Sequence, residues 1–271
     1  MEAANRAPNP DPGPANGPWL YGKHWGGLAM LIRHSLFGLL ALPLLSRLYV
    51  RQVDVPELPT RYNWKFRTKH QLALELLGQV MGMLKALGSK ARFLVVFDGA
   101  YAARELIRSL MALGAVVVTR LRCDAKLFDL PVNEPGRRGR PRIYGQNRLS
   151  LAKRAGHHEG WQTIRYASRG AMVEGRCKTF LATSQLVGGV VRVVLLEHAG
   201  GNWAAYLSTD AAMEVATILE TVADRWAIEE HFHDVKEIWG AGQQQVRNLW
   251  SNIGCRNLCC WQYTLVELAC W

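Results

Sequence analysis

The chain has 271 residues, enough for one large domain or a domain carrying an insertion. With 49% hydrophobic and 20% charged residues it has the composition of a globular protein, which excludes a disordered one. Lys and Arg number 33 against 22 Asp and Glu, a formal net charge of +11 that favours a polyanionic partner.

The segment 1–18, MEAANRAPNPDPGPANGP, is rich in Pro, Asn, Gly and Ala. Proline fixes φ and removes a backbone donor, so loop or disorder is expected here. No charged, apolar, small-residue succession marks a secretory signal. The run from Leu28 to Val50 is very apolar, but Arg33, His34, Pro43 and Arg47 interrupt it. No uncharged piece approaches the ~20 residues of a membrane helix. Residues 20–34 and 37–50 are therefore expected to form a hairpin of buried strands turning at RHSLFG, and the compartment expected is the cytosol.

A helix from about Lys69 to Leu87 follows, with Leu72, Leu76, Val80 and Leu84 on one stripe. ARFLVVFDGAY (91–101) then reads as a buried strand that delivers Asp98 to its C-terminal tip, where sites of open α/β sheets sit. Alone, such an aspartate would serve as well as a turn or capping residue. A helix near 102–113 and the strand AVVVTRLR (115–122) complete an α/β order with a partly parallel sheet.

Residues 123–200 interrupt that order. GRRGRPRIYG (136–145) is a basic, flexible segment, and β-rich pieces such as TIRYA and VVRVVLLEH follow. A last strand, WAAYLSTD, leads into a helix expected over 211–237. Asp210 has metal-ligand chemistry, but Thr209 or Asp210 before an apolar helical pattern is more simply an N-cap. Of the six cysteines, Cys255, Cys259 and Cys260 share one apolar helical stretch and are expected to be buried free thiols. His157-His158 and His231-x-His233 lack acidic or Cys partners at fixed spacing and read as structural. The stretch 245–271 is helical, rich in Trp and Leu, and ends without a polar tail, as though the chain continues in its relatives.

The stretch RWAIEEHFHDVK (225–236) carries the most chemistry. At about 100° per residue, Glu229 falls in a narrow sector with Val215, Val222, Trp226 and His233, flanked by Arg225 and Lys236. A carboxylate in the middle of a face expected to be buried must be paired or must ligate a metal. An interior Glu229–Arg225 ion pair would meet that requirement, and so would a metal site.

Asp98 in VVFDGAY, followed by R-W-x-I-E-E-x-F-x-D-x-K-E at 225–237, resembles the DDE transposases of bacterial insertion sequences. Within them it is similar to the cut-and-paste group with the signature Y-x2-R-x3-E-x6-K. Arg225, Glu229 and Lys236 fill the last three positions, and Val222 stands where Tyr is expected. The similarity extends through LYGKHWGGLAMLIRH, LPLLSRLYVRQ, LSTD and GAGQQQVRN, and so runs along nearly the whole chain. It implies an RNase H-like mixed sheet flanked by helices, with a β-rich insertion before the Glu-bearing helix. The division it suggests is a disordered 1–18, a core over 19–122 and 207–271, and the insertion over 123–206.

The resemblance further implies strand cleavage and transfer during transposition, with two Mg²⁺ or Mn²⁺ ions held in part by Asp98 and Glu229. Arg225 and Lys236 would hold transposon-end phosphates, and the partners would be end and target duplex DNA, with a second copy in a synaptic complex, in the nucleoid of the cytoplasm. Arg138 and Arg140, in GRRGRPR, are similar to the core of an AT-hook, whose arginines enter a narrow A·T minor groove; a solvated basic loop has the same composition. The family's first Asp lies on a strand upstream of the Pro/Gly-rich loop, which here is at the N-terminus. The expectation is a truncated frame without that strand, inactive by itself. A non-catalytic DNA-binding remnant and an RNase H-like nuclease are the alternatives.

Overall fold

The computed structural model describes residues 5–8, 19–34, 38–132 and 139–270. The chain divides into two compact units, Met1–Gly82 with Ala227–Trp271, and Met83–Trp226.

The first unit opens with a two-stranded ribbon, β1 (Asn5–Pro8) on β2 (Trp19–Gly22). Four residues expected to be loop are thus paired; Pro8 sits at the strand end, where a missing N–H is tolerated. The expected hairpin is formed by β3 (His24–His34) and β4 (Gly38–Tyr49), antiparallel from His24↔Tyr49 to His34↔Gly38. Leu28 faces Leu45 but Ala29 faces Pro43, so the register slips past Leu44 where proline has no N–H to donate. Helix α1 (Lys69–Ala86) is where periodicity placed it and buries Leu72, Leu76 and Met81, with Val80 and Leu84 half-buried.

The second unit is built on an eight-stranded mixed sheet. Strand β5 (Leu94–Phe97) runs parallel to β6 (Val116–Leu121), joined by α2 (Arg104–Ala112). The rest is antiparallel: β7 (Leu127–Phe128), β8 (Arg148–Leu149), β9 (Gln162–Ser168), β10 (Ala171–Ser184), β11 (Gly189–Glu197) and β12 (Trp203–Ser208). The order is β5-β6-β12-β11-β10-β7-β8, with β9 on β10. The β-rich pieces after residue 123 therefore continue the sheet that holds β5 and β6. β5 ends that sheet, which corrects the expectation of a buried strand: Leu94 is exposed and the other three residues are half-buried.

Between β8 and β9 lies the short helix α3 (Leu151–Gly156). Its last turn is closed by Lys178 of β10, whose ammonium donates to the carbonyls of Arg154 (2.8 Å) and His157 (2.5 Å). Helix α4 (Val215–Asp224) covers one sheet face, packing Ile218 and Leu219 against Val118, Val194, Ala204 and Tyr206.

The helix expected over 211–237 is two helices. Residues 211–214 form a turn, α4 ends at Asp224, and α5 (Ala227–Glu237) begins after a break. At the break the Trp226 N–H bonds to Ala223 O, a tightened i→i−3 bond that ends the α-helical ladder. Helix α5 returns to the first unit. With α6 (Leu249–Ala269) it packs on β4 around Leu42, Val235, Cys259, Cys260 and Tyr263. The buried thiols of Cys259 and Cys260 are free, as their apolar setting led one to expect, and Cys255 is half-buried. The architecture is α/β, a mixed multi-stranded sheet flanked by helices, consistent with an RNase H-like fold.

Candidate active site

Asp98 follows β5 directly and is exposed. Its carboxylate accepts the Gly99 N–H at 2.5 Å, and its carbonyl accepts the Tyr101 N–H at 2.9 Å, starting a one-turn 3₁₀ segment over Gly99–Tyr101. A Cβ at position 99 would lie 3.1 Å from the Arg120 carbonyl, so glycine lets this turn press against the end of β6. Phe97 pairs with Thr119, which sets Asp98 beside Arg120. On the next strand Tyr206 pairs with Arg120.

The electrostatics agree with this placement. Burial, and then the Asp98 charge, push the Tyr101 phenol above its usual range, so it is a hydroxyl donor near the carboxylate. Burial also pushes the Tyr206 phenol up, while Arg120 and Arg225 act in the opposite sense. Arg225 closes α4 as its C-cap residue. One end of the sheet therefore gathers Asp98, Arg120, Tyr206 and Arg225. Arg120 and Tyr206 escaped the sequence reading, although Arg120 is the one exposed residue in the otherwise buried strand VVVTRL.

Asp210 lies at the other end. Strand β12 runs antiparallel to β6, Ser208 pairs with Val118, and Thr209 bonds to Val117 through both N–H···O (3.0 Å) and Oγ1 (2.9 Å). Asp210 then sits near the start of β5, where Arg92 pairs with its Oδ2 at 2.9 Å and the Ala212 N–H bonds to its Oδ1 at 2.9 Å. From Arg92 to Asp98 is six residues of largely extended chain, about 20 Å. Ions of a two-metal site stand roughly 3.5–4 Å apart, so Asp210 cannot share them with Asp98. The capping expectation is also corrected: Asp210 closes a local turn ahead of the helix, and the N-cap of α4 is Glu214, which makes no side-chain cap bond.

On α5 the buried stripe is Ala227, His231 and Val235, spaced by four, and Glu229 is exposed beside Glu230. The buried-face placement of Glu229 is thereby corrected. The break at 225–226 resets the helical phase, so a wheel drawn from Val215 cannot be continued to Glu229. The new phase keeps both glutamates in water, avoiding the cost of a buried charge. Lys236 is likewise exposed. His233 is exposed, 3.3 Å from Asp234, while His231 is buried, so the two histidines cannot share an ion. Arg140 is exposed in a bend; Arg138 lies outside the described residues.

Among the described residues no three His, Cys, Asp or Glu side chains converge as a metal cage. At Asp98's end of the sheet, Asp124 is held by Arg122 (3.1 Å) and Glu197 by Arg176 (2.7 Å). Asp98 has the chemistry of a divalent-ion ligand, yet within its unit it is a single carboxylate with one oxygen on Gly99. Mg²⁺ takes near-octahedral oxygen coordination, so this unit by itself does not fit a two-metal centre.

Residues 43–175 match the family model of the DDE superfamily endonucleases. Over this stretch the chain belongs to the DDE superfamily. Enzymes of that superfamily act on DNA and work with divalent metal ions. The matched stretch contains Asp98 with its strand, and Arg120 beside it; Arg225, Glu229 and Lys236 lie beyond its end. No curated protein matches the chain. No helix among the described residues is long and apolar enough to cross a membrane.

Proposed function

We propose that the chain is a DDE transposase of the insertion-sequence type, which engages transposon-end DNA and does not cut it unaided. The observation that carries this reading is an exposed carboxylate, Asp98, at the C-terminal tip of β5, with Arg120 alongside and Arg225 acting on the same Tyr206. Cations flanking a strand-tip carboxylate suit a phosphodiester: the guanidiniums hold and orient the phosphate without reading sequence. Tyr101 and Tyr206 remain protonated and add hydroxyl donors. Asp98 and Glu229 are the proposed carboxylates for Mg²⁺ or Mn²⁺. Lys236, with Arg138 and Arg140, adds backbone or minor-groove contacts. End and target DNA in a complex of two copies are the proposed assembly.

A non-catalytic DNA-binding role is the second reading, favoured by the lone carboxylate at Asp98's edge. One experiment separates the two. Mn²⁺ binding is followed by electron paramagnetic resonance with duplex DNA present, and nicking of supercoiled plasmid is followed alongside. The transposase reading expects bound Mn²⁺ that is lost in both Asp98→Asn and Glu229→Gln, with no nicking by the unmodified chain. Mn²⁺ binding unchanged by both substitutions would leave only the DNA binder. Metal-dependent nicking abolished by Asp98→Asn would overturn the claim that the chain does not cut unaided.

A further inference from the structure

Within the first unit, α5 and α6 line a small, partly open cavity against the slipped register of the hairpin. Two polar side chains on its wall have unmet hydrogen-bonding atoms: His231, 3% exposed, and Arg256, 8% exposed. No described residue bonds to His231 Nδ1 or Arg256 Nε. The Arg256 guanidinium lies over the Phe232 ring, 5.9 Å from its centroid, and no carboxylate among the described residues pairs with it. The rest of the wall is mostly apolar, with Leu28, Pro43 and Cys260, and the Ser46 hydroxyl is committed to Asn257 Oδ1 at 2.8 Å. A buried guanidinium N–H without a partner is costly, and a counter-charge beside it relieves that cost.

The cavity measures about 10 Å³, room for one water-sized particle and too little for phosphate or sulfate. A neutral imidazole with its proton on Nδ1 and a guanidinium N–H are both donors. An apolar wall strengthens their attraction for a negative charge. We propose that this cavity is a binding site for a single monatomic anion, chloride in the cell, held between Arg256 and His231 Nδ1. This site is distinct from the strand-tip carboxylate and does not depend on the transposase reading.

The test is thermal denaturation of the full chain in sodium chloride and in sodium gluconate at matched ionic strength. Chloride should raise Tm saturably, because a ligand bound by the folded state alone stabilises it by mass action. Arg256→Met, of similar length but uncharged, should abolish the chloride response. Equal Tm in the two salts, or an undiminished response in the variant, would overturn the proposal. Should Arg256→Met fail to fold, crystals of the unmodified chain grown in bromide decide it. An anomalous peak between Arg256 and His231 is the result expected, and a water there with no peak would sink the idea.

Discussion

Asp98 and Asp210 each follow an apolar strand, and from composition alone they are equivalent candidates for a metal. The direction of the strands separates them. Asp210 leaves a strand antiparallel to β6 and meets Arg92, whereas Asp98 leaves a parallel one and meets Arg120. Asp210→Asn should therefore leave Mn²⁺ and DNA binding unchanged, and a loss comparable to that of Asp98→Asn would refute the assignment. Its cost in stability should be at most about 1 kcal/mol, since Arg92 is largely exposed. His231 gives a second test at this scale. Burial, then Arg256, push its imidazole down to about 4, with Asp234 opposing. Between that value and the ordinary 6.5 the unfolded chain binds the proton and the folded chain does not. Stability should thus fall as pH drops from about 6.5 to about 4, by at most on the order of 3 kcal/mol, and level off below. Urea melts across that window should show the fall in the parent chain and a shallower one in His231→Phe. An equally steep fall in the variant would assign the effect to carboxylates instead.

The elements that could be read from sequence were those whose pattern is local. The hairpin of β3 and β4, α1, α2 and β6 appear within a few residues of their expected places because an apolar run or a helical stripe marks each one. The helix over 211–237 was misread because apolar residues continue through Ala223 and Trp226, while the bond that ends α4 leaves no trace in the pattern. With that break went the phase, and so the side on which Glu229 emerges. Another element-scale feature is how the basic segment rejoins the sheet. The Gly145 N–H bonds to Asp129 O at 3.1 Å, and Asn147 bonds to the Asp129 carboxylate through N (3.1 Å) and Nδ2 (2.6 Å). A Cβ at 145 would overlap the Asp129 carboxylate and its carbonyl oxygen. Gly145→Ala should therefore destabilise this junction by about 1–3 kcal/mol. Trypsin should then cut faster after Arg142, the bond after Arg140 being blocked by Pro141; an unchanged cutting rate would show that the junction gives without loosening the segment.

For the molecule as a whole, the α/β class and the DDE relationship could be read from sequence because both rest on the succession of elements and on a few chemically demanding positions. The partition of strands could not: a strand's own residues do not name its neighbour, and β3 with β4 forms a sheet of its own while β5 begins another. The net charge of +11 is a whole-molecule property, and duplex binding should follow it. Log affinity should fall linearly with log salt, with a slope near 0.9 for each phosphate contacted. Converting Arg137, Arg138, Arg140 and Arg142 together to Gln should flatten that slope if the segment touches DNA. An unchanged slope would make it a solvated loop.

The lysine that closes α3 has a consequence for how the second unit can be watched in solution. Lys178 is 8% exposed, and its ammonium is spent on two carbonyls beneath the Trp161 ring, 4.9 Å away. An acylating reagent needs an unprotonated, accessible amine, so it meets Lys178 only when α3 has come away from β10. Lys153, on α3 itself, is exposed and should be modified at once. The ratio of the two labelling rates is a clock for the opening of this one corner, readable by peptide mass without any substitution.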